Sequence, residues 1–273
     1  MQKPDAPYLM RGCREIATES PVLVSSSRYL NHAGMRDWVA THLLRRSSKN
    51  MPTPSDTVAM GRVVLEAQDL DEVEDLFTAE RARYPELDRW LSAGFVSTFA
   101  RKDLDQYAPD SVGGIFRQYV DDNGFQIDIV PRFEPKTQYQ YYMLRNGQTH
   151  DFEHIICGGG FNILGELVPY YMRLANVPKF LSPKLAGQVN AAMILGSSRI
   201  FVRTALHYQE AFPMALRAVQ HGINIGQQSG PIFMAKYEDV FHLSVPEARE
   251  KLGIVGGAYL DTAKESLAWE EFQ

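Results

Sequence analysis

The chain has 273 residues, 45% of them hydrophobic, 11% aromatic and 22% charged, a composition that excludes a wholly disordered chain. Twenty-eight Lys and Arg against 33 Asp and Glu give a net charge of -5 and a pI near 5.8, with no clustered basic excess, so nucleic acid is not an expected partner. The two cysteines, Cys13 and Cys157, supply neither a disulfide framework nor a Cys-rich zinc module, and two reduced thiols in a cytosolic protein is the plainer reading.

In chain order, MQKPDAPYLMRGCRE lacks a basic region followed by an apolar run, so no secretory signal is expected. Residues 1–30 read as a mobile N-terminal arm. From Ala33 to Arg46, Met35, Trp38, Val39, His42 and Leu43 share one helical stripe. RRSSKNMPTPSD then reads as a loop, after which Ser55 and Asp56 can cap a second helix running towards Ala67. DLDEVEDLFTAERARY has acids early and arginines late, the order that suits the helix macrodipole. Another helix begins near Pro85. FQIDIVPRF, at 125–133, is at most a short extended segment, limited by Pro131. Helical reading dominates beyond it, over roughly 136–156, 162–174 and 182–221 with breaks. A last short helix has the capping-box spelling Ser244 to Glu247, with Pro246 in its first turn. The expected fold is mainly α, a single helical domain over residues 31–254 with a C-terminal extension at 255–273. The best apolar run, Ala191 to Val202, is broken by Gly196, Ser197, Ser198 and Arg199, too short to span a membrane although not to lie against one.

One constellation carries chemistry. His150 and His154 are four residues apart, about 40° on a helix, and Asp151 lies about 100° from His150 at the edge of the same arc. Glu166 would face about 120° away on one straight helix. Gly158, Gly159 and Gly160 intervene, however, and consecutive glycines favour a turn. A helix–glycine turn–helix returns Glu166 to the histidine face. Two imidazoles and carboxylates suit zinc, and also iron, cobalt or manganese. His150-Asp-Phe-Glu153-His154 also satisfies H-x-x-E-H, the inverted zinc-protease motif, in which Glu153 would be the general base.

The spacing His150-Asp151-x-x-His154-x11-Glu166 resembles the signature of the Coq-four family of ubiquinone biosynthesis proteins. SVGGIFRQYVDDNG (Ser111 to Gly124), Arg145 five residues before the first histidine, FPMALR (Phe212 to Arg217) and VPEAREKLGI (Val245 to Ile254) agree with it. The likeness is clear over residues 105–254. Met214 stands where the family usually has Trp, Gly222 lies later than the usual glycine, and the chain runs on past Ile254. The resemblance implies a divalent metal, zinc foremost, bound by His150, Asp151, His154 and Glu166. It implies removal of the C1 carboxyl group of a polyprenylated 4-hydroxybenzoate-type precursor, with hydroxylation of that carbon if the step is oxidative. Expected partners are that quinone precursor, other ubiquinone-biosynthesis proteins, a membrane surface and a second copy of the chain. The implied location is cytoplasmic and peripheral, on the inner face of the membrane, or the matrix side in a mitochondrion. The competing reading is a lipid-binding scaffold that organises other enzymes without chemistry of its own. VPYYMRLANVPKFL, from Val168, offers Tyr170, Tyr171, Met172, Leu174 and Phe180 either to a prenyl tail or to ordinary core. The spacing of His207, His221 and His242 assigns them no role, and Arg45, Arg46 and Lys49 read as a solvated helix end sooner than a lipid contact.

Overall fold

Capping chemistry written in the sequence decides where the helices begin and end. In the computed structural model, which describes residues 27–46, 55–125, 127 and 133–269, the chain runs through α1 (Arg28–Asn31) and α2 (Ala33–Trp38), the latter prolonged by a π-helical turn over Val39–Leu43. There follow α3 (Ser55–Ala67), α4 (Leu70–Arg83), α5 (Pro85–Ala93), α6 (Val112–Asn123) and α7 (Gln138–Cys157). The rest is α8 (Leu167–Phe180), α9 (Pro183–Val189), α10 (Ala191–His207), α11 (Phe212–Gln228), α12 (Val245–Leu252) and α13 (Ala263–Ser266). Side-chain oxygens of Asp69, Ser111 and Thr137 accept the N–H of Glu72, Gly114 and Gln140, satisfying otherwise orphaned donors at the starts of α4, α6 and α7. Before α12, the Glu247 carboxylate accepts the Ser244 N–H at 3.0 Å, as the capping-box spelling predicts. Among the described residues there is no sheet, only isolated bridges between Ser111 and Ser244 and between Gly159 and Leu260.

The fold is therefore mainly α, a single helical domain, as expected. The helix expected from 162 starts only at Leu167, because residues 158–166 are spent on the turn, and it continues to Phe180 with Pro178 in its last turn. The run expected over 182–221 breaks at Asn190 and again at 208–211. The extended segment expected at 125–133, together with Cys13 and Lys49, lies largely outside the described residues.

α8 is the centre of the packing. On one side α11 presses against it backbone to backbone: a Cβ at Gly222 would collide with the Val168 carbonyl, and one at Gly226 with that of Met172. α7 lies on another side and bridges two apolar clusters. Tyr139 and Tyr142 enter one with Phe77, Leu87 and Val177, while Phe152 and Ile156 enter the other with Phe116, Leu167 and Met172. Full burial of each such apolar side chain stabilises the fold by about 1.5–3 kcal/mol. α7 and α8 are thus rigidly placed, and both carry the residues of the site.

Candidate metal centre

The start of α7 is held electrostatically. The Glu74 carboxylate accepts the N–H of Gln138 at 3.0 Å and of Tyr139 at 2.8 Å, placing a negative charge at the positive end of the helix dipole. The helix stops at Gly158, which has a φ of 73°, and a Cβ there would come within 2.6 Å of the Gly257 carbonyl oxygen. The chain then turns tightly: Asn162 N–H donates to Gly160 O, Gly165 N–H to Asn162 Oδ1, and Glu166 N–H to Asn162 O. Glu166, at the N-cap of α8, is delivered back onto the histidine face of α7.

His150 Nε2 stands 3.1 Å from Glu166 Oε2, and His154 Nε2 stands 3.4 Å from Glu166 Oε1. One ligand atom from each of the three residues lies within 4.8 Å of the others. His154 Nδ1 is 3.2 Å from the carbonyl oxygens of both Gly159 and Gly160. Carbonyls only accept, so Nδ1 carries a proton and Nε2 is the nitrogen left to face Glu166. His154 is 1% exposed, whereas the side chains of His150 and Glu166 are 28% and 30% exposed, so one flank of the trio opens to solvent.

The charges respond to one another. Burial alone would lower the pKa of His150, but the Glu166 carboxylate and its hydrogen bond raise it above 6.5. Burial would raise that of Glu166, and the two imidazoles hold it well below the usual carboxylate range instead. Asp151 is not in the trio. Burial raises its pKa, against the pull of His150 and His154, so it stands close enough to feel both. Tyr119 is pushed up to about 12 by burial and by the charges of Asp151 and Glu166. Its ring stacks on Phe161 at 3.7 Å, and Phe161 lies 5.0 Å from the ring of His154.

Glu153 does not face this cluster. It is fully buried and paired through both oxygens, at 2.6 Å each, with Arg173 of α8, which removes it as the base of an H-x-x-E-H protease. No sequence motif marks Arg173; its signal is only that it falls seven residues, two helical turns, after Glu166. Arg145 is likewise buried and pairs with Glu238 at 2.9 and 3.0 Å. In the apolar stripe of α8, Met172 belongs to the core, while Tyr170 lies 6.0 Å from His150. His207, His221 and His242 are not members of the trio: His207 bonds to Leu44 O, His221 to Cys157 O, and His242 is exposed. Arg46 lies 5.9 Å from the ring of Tyr208.

Comparison with known proteins agrees with this architecture. A crystal structure of a candidate ubiquinone biosynthesis protein from Nostoc punctiforme is similar at a TM-score of 0.58 and 18% identity, over 82% of this chain and 98% of that one. At that identity the likeness shows the fold. No curated protein sequence matches. Residues 96–256 match the family described as coenzyme Q (ubiquinone) biosynthesis protein Coq4, and they include the whole of α7, the glycine turn and α8. The chain therefore belongs to the Coq4 family, and its role lies in ubiquinone biosynthesis.

Proposed function

We propose that the chain removes the C1 carboxyl group of a polyprenylated 4-hydroxybenzoate-type precursor, using a divalent ion, zinc foremost, held by His150, His154 and Glu166 with Asp151 beside them. The observation that carries this reading is the convergence of two imidazole nitrogens and a carboxylate from two helices on one partly exposed point. The residues fit such an ion, because the Gly159 and Gly160 carbonyls orient His154 as metal-binding histidines are generally oriented. The same donors suit iron, cobalt or manganese if the step is oxidative. When bound, the ion supplies Lewis acidity toward a carboxylate or phenolate oxygen. Glu166 supplies negative charge to the ion, and Phe161, stacked between Tyr119 and His154, holds the imidazole against an aromatic column. Contact with a membrane surface completes the reading. No described helix is long and apolar enough to cross a bilayer, while Ile194 and Leu206 of α10 are exposed and available to an interface.

The test is metabolite analysis in a strain whose only copy carries Glu166→Ala. The carboxylated prenyl intermediate should accumulate while the purified variant keeps its helical content. Normal ubiquinone levels would refute the reading.

A further inference from the structure

Residues 257–269 lie beyond the stretch that matches the family, yet they fold back onto the turn that carries Glu166. Leu260 donates its N–H to Gly158 O at 2.9 Å and forms the isolated bridge with Gly159. Two hydroxyls of the same segment, Thr262 Oγ1 at 2.8 Å and Ser266 Oγ at 2.6 Å, donate to Asn162 Oδ1. Ser266 Oγ in turn accepts the Leu164 N–H at 3.2 Å. Thr262 is fully buried and Ser266 2% exposed, so water does not compete for these bonds. Beyond them the buried Trp269 ring lies 4.7 Å from the Arg203 guanidinium and 4.7 Å from the ring of Tyr208.

Asn162 links this segment to the site. Its side-chain oxygen takes both hydroxyls and the Gly165 N–H, while its main-chain oxygen accepts the Glu166 N–H at 3.0 Å. The path from Thr262 or Ser266 to the backbone of Glu166 therefore runs through one residue. We propose that residues 257–269 are a positioning strap for the metal centre, in which Thr262 and Ser266, acting through Asn162, set where Glu166 stands and so the affinity of the site for a divalent cation. The proposal rests on the metal reading given above. Without the hydroxyls the Asn162 amide keeps only the Gly165 N–H at its oxygen, the Leu164 N–H loses its buried acceptor, and the turn that carries Glu166 is held less firmly opposite the two imidazoles.

The experiment uses the full chain and two readouts. Co2+ is titrated against a competing chelator, with its visible spectrum recorded, and exchange of the Gly165 and Glu166 amide hydrogens is measured in metal-free protein. The double variant Thr262→Val with Ser266→Ala should bind Co2+ about 10–100-fold more weakly, the cost typical of removing outer partners of a metal ligand. Its spectrum should change and the two amides should exchange faster, with circular dichroism unaltered. Thr262→Ser, which keeps the hydroxyl, should restore wild-type affinity. If the double variant folds poorly, Ser266→Ala alone should still weaken Co2+ binding and speed the same two amides. Wild-type affinity, spectrum and exchange in a folded variant would overturn the strap. A wild-type chain that binds neither Co2+ nor Zn2+ would overturn the metal reading and the strap's effect on affinity; faster Gly165 and Glu166 exchange would then still confirm its hold on Glu166.

Discussion

Two clusters on the same pair of helices invite comparison, because α8 and its N-cap give each of them one charged side chain and α7 gives the rest. Glu166 and Arg173 are seven residues apart, about 10 Å along the helix. At the Arg173 end, donors meet acceptors: the guanidinium gives two bonds to Glu153, one to Thr149 Oγ1 at 3.0 Å and one to Asn146 O at 2.8 Å. Charge cancels charge, and Arg173 and Glu153 are 2% and 0% exposed. At the Glu166 end, one carboxylate meets two imidazoles, neither of them a fixed cation. Two carboxylate oxygens face two imidazole Nε2 atoms, and each contact is favourable only with a proton or a cation between nitrogen and oxygen. That end is also partly open to solvent. Sealed and charge-matched describes a structural pair, whereas open and rich in lone pairs describes a site.

The comparison breaks most visibly if the sealed end is opened. Arg173→Ala leaves Glu153 buried and unpaired, and we expect a loss of about 3–5 kcal/mol in urea unfolding. Replacing both residues by apolar side chains of similar volume should recover much of that loss, because the pair's net contribution is small once its desolvation is counted. A fold indifferent to Arg173→Ala would show that the two ends are not different in kind. His154→Ala tests the other end: metal affinity, read by chelator competition, should fall by more than the roughly 10–100-fold typical of an outer partner. Its effect on unfolding should stay below that of Arg173→Ala.

How much of this was legible in the sequence follows from how far apart the interacting residues are. Ser244 with Glu247, and the early acids and late arginines of α4, are local devices, and in them sequence and structure agree. His150 and His154 were also local, and three consecutive glycines were enough to argue that Glu166 returns to them. The partner of Glu153 was not legible. Glu153 satisfied a catalytic spelling, and only its bonding to a residue twenty positions on shows its structural use. Nor was the hold of Thr262 and Ser266 on Asn162, across about a hundred residues, since nothing in a Thr or Ser declares a distant acceptor. The close approach of α8 and α11 depends on Gly222 and Gly226, which in sequence look like weak points of a helix.

Proton titration should separate the two ends without any mutation. Glu153 keeps Arg173 charged despite burial, so Arg173 should not respond near neutrality. His150, raised above 6.5 by Glu166, favours the proton that competes with metal. Metal affinity should therefore be full above the raised pKa and fall about tenfold per pH unit below it for each proton displaced. In metal-free protein the sign reverses. The His150 contribution to stability is fully present below 6.5 and lost as pH rises through its raised value. That of Glu166 is present above 4.5 and lost as pH falls through its lowered one. Tm profiles of chelator-stripped and metal-loaded protein should diverge as pH rises above 6.5. Parallel profiles would mean that the Glu166 end titrates no differently from the sealed one.

The smallest expected effect belongs to Asp151. The helical arc puts it at the edge of the histidine face, and the structure leaves it outside the trio whose donors converge within 4.8 Å. Yet it feels His150, His154 and Glu166, and its charge reaches Tyr119. A carboxylate in that position adds to the negative field at a bound cation without occupying a coordination position. Asp151→Asn keeps the shape and removes the charge, so it should weaken Co2+ binding by no more than about tenfold, the low end of the range for outer partners. It should leave the visible spectrum of the bound ion nearly unchanged, since the donor atoms are the same. A loss as large as that of His154→Ala, with an altered spectrum, would instead make Asp151 a fourth ligand. The Glu166 end would then draw three of its four ligands from α7 and one from α8.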